Sequence, residues 1–200
     1  RDLKHPAEAG SPGLHEDAVA AFPEFAAQMA GYVRSNQRVD GLHALVDVGS
    51  GTLDTTIFNV HRDNNEEDRF PIFSKSVQPL GTKFLLEHRF RENKLRDRRF
   101  TVPNLNPSQD LPSNREFSDL IGASINELTE IDRTFRSKVS GTFTRGLDYT
   151  KKEMDPLSRH WTEGVPIFLC GGGSNCEFYQ DVFITNERFS SLANLAVCEA

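Results

Sequence analysis

The sequence predicts an α/β fold built on a mixed sheet, and three features predict it. Leu42–Val48 and Leu53–Val60 are rich in β-branched and apolar residues, and only the turn Gly49–Thr52 separates them, so they form an antiparallel hairpin. Phe117, Leu120, Ile121, Ile125, Leu128, Ile131, Phe135 and Val139 fall near helical spacing behind the capping-box pattern Ser113-Asn114-Arg115-Glu116. Val165–Cys170 reads as a buried strand broken by Gly171-Gly172-Gly173, and a second S-x-x-E pattern, Ser174 to Glu177, starts a helix behind it. Strands first, then helices, then a strand–glycine–helix unit is an α/β order, and the hairpin makes the sheet mixed.

The remaining elements follow in chain order. Residues 1–16 are rich in Gly, Pro and charge and read as a linker or lead-in. Residues 17–34 read as helix, with Pro23 in the first turn of its main part. Asp40-Gly41 is a turn into the first strand, and 61–69 is a charged loop. A third strand spans 70–77, and Pro79-Leu80-Gly81-Thr82 turns it into a helix over 83–96. Pro103, Pro107 and Pro112 make 98–112 a loop. Further helices are expected over 149–161 and from near Leu192.

Composition narrows the function classes. The 200 residues are 37% hydrophobic and 26% charged, which suits a soluble globular chain. A net charge of -6 argues against nucleic acid as the main partner. No apolar run reaches membrane-spanning length, and the polar start Arg1-Asp2-Leu3-Lys4 lacks the apolar core of a signal peptide. Three cysteines, Cys170, Cys176 and Cys198, fit a reducing compartment and lack zinc-clip spacing. The absence of an initial methionine suggests a fragment of a longer protein.

The chemistry concentrates in the turn Asp47-Val48-Gly49-Ser50-Gly51-Thr52-Leu53-Asp54. It is neither a dinucleotide fingerprint, because strand rather than helix follows Asp54, nor a P-loop, because the lysine is missing. A glycine turn between antiparallel strands still lets backbone N–H groups approach phosphate oxygens closely. Asp47 and Asp54 would repel phosphate unless a cation intervened, and Mg²⁺ held through carboxylates and water resolves that conflict. A carboxylate here can also orient an attacking water. An ordinary hairpin with turn-favouring residues is the alternative. The six histidines show no metal-ligand spacing, Gly49-Ser50-Gly51 is not a nucleophile elbow, and the arginines at 89, 91, 96, 98 and 99 read as a solvated helix face.

The segment Leu45–Ile57 resembles the second phosphate motif of the actin/hexokinase/heat-shock-chaperone superfamily. It is most similar to the Asp-x-Gly-Gly-Gly-Thr-x-Asp form of DnaK-type (Hsp70-like) chaperones, with Ser50 in place of the middle glycine. Upstream, Pro23-Glu24-Phe25-Ala26-Ala27 resembles the family's Glu-Pro-x-Ala-Ala helix. Downstream, Leu80-Gly81-Thr82-Lys83-Phe84 resembles its Leu-Gly-Gly-x-x-Phe junction, and Val165–Ser174 its adenosine motif. The stretch Leu192–Val197 is similar to the closing helix of ParM-type plasmid-segregation actins.

The resemblance implies a ribonuclease-H-like second lobe with its core at 17–98 and 164–200, and a mainly helical subdomain inserted at 99–163. It implies a cytoplasmic protein that binds ATP or ADP with Mg²⁺. Asp47 and Glu24 would be catalytic, and Asp47 and Asp54 would hold the metal through water. Gly49, Ser50, Gly51, Thr52 and Gly81 would take phosphate, and Gly171, Gly172, Gly173 and Ser174 the adenosine. Asp132 and Arg136, one turn apart on the long helix, would be either an adenine clamp or a solvated ion pair. The first phosphate motif is absent, so hydrolysis would require a two-lobed parent whose first lobe is missing here. The alternative is a non-catalytic actin-fold module that binds a protein partner or self-associates into filaments.

Overall fold

The computed structural model describes residues 29, 31–32, 34–36, 38–65, 67–94, 111–184 and 196–197. At its centre the strands β1 (Gly41–Val48) and β2 (Leu53–Arg62) form the expected hairpin, in register from Gly41 opposite Val60 to Val48 opposite Leu53. The two-residue β3 (Asp68–Arg69) and β4 (Ile72–Gln78) both pair antiparallel with β2. On the other side of β1, β5 (Ile167–Cys170) runs parallel to it, and β6 (Ala196–Val197) runs parallel to β5. The sheet is therefore mixed, with β1 in its middle.

Alternation along β1 divides the core. Leu42, Ala44, Val46 and Val48 face a cluster that contains Leu53, Ile57, Ile167 and Leu169. Leu45 points to the opposite face with Phe58, Val60, Phe168, Cys170 and Met29. Both faces are covered, which explains why β1 reads as a near-continuous apolar run. Asp47 stands on the second face, at the end of the strand.

Helix α1 (Thr82–Lys94) leads away from the end of β4. Helix α2 (Asn114–Ile121) has the expected capping box, with Ser113 and Glu116 bonding reciprocally, and ends on Gly122 in the left-handed conformation. A second capping box, Ser124 with Glu127, opens α3 (Ile125–Tyr149). The long helix serves two cores. Leu128 and Ile131 pack with Phe117 and Ile121, while Phe135, Val139, Phe143 and Leu147 join the sheet's own cluster. The 99–163 helices therefore share α3 with the sheet, because its apolar stripe runs continuously across both contacts.

Four sequence expectations change. Residues 61–69 are not all loop, because β2 runs on to Arg62 and Asp68–Arg69 pairs back with it as β3. Residues 149–161 are not one helix: α3 gives way to a π-helical turn, Thr150–Met154, and the four-residue α4 (His160–Glu163) follows. Pro156 explains the break, since it disfavours the helical region for Asp155, which has φ −144 and ψ 67. The Ser174 capping box does not form. Helix α5 starts only at Glu177 and runs to Ile184, and Glu177 accepts the Asn114 N–H at 2.8 Å instead of reaching back. The Tyr179 and Gln180 N–H groups go to Cys176 O, at 3.0 and 3.2 Å. Finally, Ala196 and Val197 are strand rather than helix, filling the open edge of β5; 192–195 lie outside the described residues. Most of the helix expected at 17–34 also lies outside them, and Met29, Gly31 and Tyr32 are helical.

Candidate functional site

The hairpin register sets Asp47 directly opposite Asp54, so both carboxylates stand on one face where the strands end. Beyond them the chain closes tightly, with the Gly49 N–H donating to Thr52 O at 2.9 Å. The first turn of α1 then holds the loop from behind. Thr82 N donates to Gly49 O at 3.1 Å and Lys83 N to Ser50 O at 2.9 Å. The Gly49, Ser50 and Thr52 carbonyls are thus taken, while the N–H groups of Ser50, Gly51 and Thr52 make no hydrogen bond among the described residues. Such a row of N–H groups is what an anionic oxygen requires.

The glycines divide into two kinds. Gly81 lies against the back of the loop, where a Cβ would come within 2.5 Å of Gly49 O and 2.6 Å of Ser50 O. Its place is in supporting the turn. Gly51 meets no such obstacle: a Cβ there would touch nothing within 4 Å, and its φ is not positive. The fold does not require glycine at this position, whereas close approach by a ligand would.

The carboxylates are not equivalent. The Asp54 carboxyl is pushed above its ordinary range by burial, with the charge of Asp47 adding to the effect. Lys75 and a hydrogen bond from Thr52 act in the other direction. Asp54 Oδ1 is buried and has no hydrogen-bond partner among the described residues. An orphaned carboxylate oxygen beside a second carboxylate fits a hydrated cation. Among the described residues no group of three or more His, Cys, Asp and Glu side chains surrounds a common point. A metal here would therefore keep most of its own waters, as Mg²⁺ does.

The glycines after β5 lie beside this turn. Cys170 is in register with Asp47, and the Gly173 N–H donates to Val48 O at 2.8 Å. Gly171 has φ 82, and a Cβ there would overlap the Asp47 carboxylate and come within 2.6 Å of Val48 O. Gly173 is wedged between Val48 and Thr82, so β1, α1 and this turn meet at one point. Gly172 again is open, with nothing within 4 Å of a Cβ. Ser174 is buried; its N–H reaches Gly171 O and its carbonyl accepts from the Gln180 side chain.

Two expected site residues do not pair with each other. Asp132 is buried and held by Arg89, with Nε to Oδ1 at 2.8 Å and Nη2 to Oδ2 at 2.6 Å. Arg136 does not meet it; it lies over the Phe178 ring and 3.8 Å from Asp181. The solvated Asp132–Arg136 pair is not present, because the stronger bidentate partner comes from α1. Arg89 is accordingly not part of a solvated face: its side chain is 2% exposed, also bonds Asn114 Oδ1 at 2.9 Å, and lies over the Phe117 ring. Glu24 lies outside the described residues; Met29 and Tyr32, a few residues on, pack on the sheet face that carries Asp47 and Asp54.

Sequence spacing missed a histidine pair. His43 and His160 come together at a centroid distance of 6.3 Å. His43 is fully buried, its Nδ1 facing Gly41 O at 2.8 Å and its Nε2 facing the Tyr32 hydroxyl at 3.1 Å. His160 places its nitrogens against Gly164 O and Asp40 O. With every ring nitrogen engaged, the pair is part of the packing rather than a metal site. Burial lowers the His43 pKa to about 4.

No protein-family model matches the sequence, and no curated protein matches it either. Solved structures do match in fold. MreB 5 of Spiroplasma citri bound to AMPPNP superposes with a TM-score of 0.55 at 15% identity, over 86% of this chain and 53% of that one. A ParM filament from Clostridium botulinum gives 0.51 at 16% identity, over 93% of this chain and 51% of that one. A non-polymerisable ParM quadruple mutant gives 0.50 at 14%, over 93% and 52%. The fold is thus that of the actin-like ATPases, as the motifs implied, and the chain spans about half the length of these structures. No helix among the described residues is long and apolar enough to cross a membrane.

Proposed function

We propose that this chain is the nucleotide-binding second lobe of an actin-like ATPase and holds the phosphates and adenosine of Mg-ATP. The observation that carries this reading is the orphaned Asp54 oxygen beside a glycine turn whose N–H groups are unused and whose Gly51 the fold itself does not require. Ser50, Gly51 and Thr52 would offer their N–H groups to phosphate oxygens, and Gly49 would let the chain turn beneath them. Gly172, the open glycine beside Asp47, would let the adenosine lie against backbone, flanked by Gly171, Gly173 and Ser174. Asp47 and Asp54 would hold the hydrated Mg²⁺, which neutralises phosphate charge when bound. Asp47 with Glu24 would orient the attacking water.

The opposite wall of the cleft would come from a first lobe of the same parent, which agrees with the half-length match to the solved structures. Alone, this lobe would bind nucleotide weakly and hydrolyse it poorly. The nearer relationship to DnaK-type chaperones rests on the motif spellings, and a cytoplasmic location goes with it. The engagement of Asp132 by Arg89 favours a second reading, in which the actin fold is kept as an interaction or filament-forming module with a degraded adenine site.

Calorimetric titration of Mg-ATP into the chain and into the two-lobed parent separates these readings. Weak binding by the chain and tighter binding by the parent are expected. No binding by the parent sinks the nucleotide reading, and an ATPase rate unchanged by Asp47→Asn supports the interaction module.

A further inference from the structure

The cleft face carries a cation that the site described so far does not use. In the β2–β4 register Asp54 stands opposite Val77 and Thr56 opposite Lys75. The two-residue period therefore puts Lys75 and Val77 on the face of Asp47 and Asp54, with Lys75 on the diagonal to Asp54. The register shift in β2 comes only between Ile57 and Phe58, so it leaves this part of the ladder unchanged. Lys75 is exposed and makes no ion pair among the described residues, yet its charge is felt at Asp54. Lys83, also near the turn, is engaged along its own helix with Glu87 at 3.9 Å.

We propose that Lys75 is a phosphate-discriminating residue: its ammonium reaches past Asp54 to the outermost phosphate of the bound nucleotide and makes the site prefer the triphosphate. The inference rests on the nucleotide reading of the cleft. Asp47 and Asp54 concentrate negative charge where further negative charge must bind, and the metal cannot offset all of it at the end of a triphosphate chain. A lysine on the neighbouring strand supplies a mobile point charge with three donors at that end. A diphosphate ends short of it. A lysine that merely kept an edge strand from pairing would act by charge alone and show no preference between nucleotides.

Titration of Mg-ATP and Mg-ADP into the wild type, Lys75→Met, Lys75→Gln and Lys75→Arg tests this in the chain, or in the two-lobed parent where the chain binds too weakly. Lys75→Met should weaken Mg-ATP roughly 10-fold, the size of one lost charge-assisted hydrogen bond, and Mg-ADP by less than about 3-fold. Lys75→Gln should do the same, and Lys75→Arg should stay near the wild type. An exposed position should leave the melting temperatures alike. If the wild type binds but the ATP-to-ADP ratio is the same in Lys75→Met, the role of Lys75 is overturned and the nucleotide reading stands. If the wild type binds neither nucleotide in either form, both fall together.

Discussion

Two aspartates of this chain meet opposite surroundings. Asp132, between α1 and α3, is saturated: both oxygens are taken by Arg89, which itself bonds Asn114 and stacks on Phe117. Asp54, at the mouth of the hairpin, faces another carboxylate and leaves Oδ1 buried without a partner. Where every polar group is satisfied internally, folding alone explains the residue. Where one is left orphaned among the described residues, their packing alone does not account for it. The glycines repeat the contrast: packing demands Gly171 and Gly173, whereas Gly51 and Gly172 stand in open space.

The strongest way to break the comparison is at Asp132. Asp132→Ala leaves a buried guanidinium without its partner and should cost about 3–5 kcal/mol in urea unfolding. The double variant Asp132→Leu with Arg89→Met removes both charges and should recover most of that loss. A loss under about 1 kcal/mol for Asp132→Ala would mean that water replaces the carboxylate at the Arg89 guanidinium.

His43 gives the next largest effect and sharpens the contrast on the sheet face that carries Asp47 and Asp54. It sits neutral, donating from Nδ1 to Gly41 O and accepting from the Tyr32 hydroxyl, which in turn accepts from Val39 N. Its folded pKa of about 4 lies below the ordinary 6.5, so the unfolded chain binds more protons between those values. Stability is fully present above pH 6.5 and is lost as pH falls towards 4, by about 3 kcal/mol. His43→Phe should flatten that slope in a pH series of denaturant melts. An unchanged slope would assign the acid sensitivity to other groups.

Gly171 and Gly51 form the third pair. Gly171→Ala meets a positive φ and the Asp47 carboxylate and should cost about 1–3 kcal/mol. Gly51→Ala meets neither and should stay within about 0.5 kcal/mol of wild type while weakening Mg-ATP binding. Equal stability losses in the two variants would erase the distinction between glycines kept by the fold and glycines kept for a ligand.

Local patterns were legible in the sequence, and long-range partners were not. The hairpin, the capping box at Ser113 and the strand into Gly171 announce themselves within a few residues, and the α/β class follows from their order; the actin-like fold was implied only by the resemblance of the motifs. Arg89 was misplaced because it stands in an arginine-rich run, while its partner Asp132 is 43 residues away. The Ser174 box failed for the same reason, since Glu177 is drawn to Asn114, 63 residues distant. Gly51 and Gly171 are the same letter, and only the atoms around them tell them apart. Lys75 joins the cleft face only through the β2–β4 register.

The smallest effect is at Asp54, and its sign is the informative part. Burial and the charge of Asp47 raise its folded pKa, so the folded chain holds the proton when the unfolded chain has released it. From the ordinary carboxylate range up to that raised value, stability therefore falls as pH rises, opposite to the His43 slope. Asp54→Asn removes the term and should leave the folded chain as stable as wild type or slightly more so above that window. A residue kept for the fold would not behave this way, since replacing it should destabilise. Under the nucleotide reading, the same variant should weaken Mg-ATP while changing metal-free ATP less, because it removes a carboxylate oxygen that would face the cation. Should Asp54→Asn instead destabilise the chain and leave Mg²⁺ dependence untouched, Asp54 would belong with Asp132, as a residue that the fold itself requires.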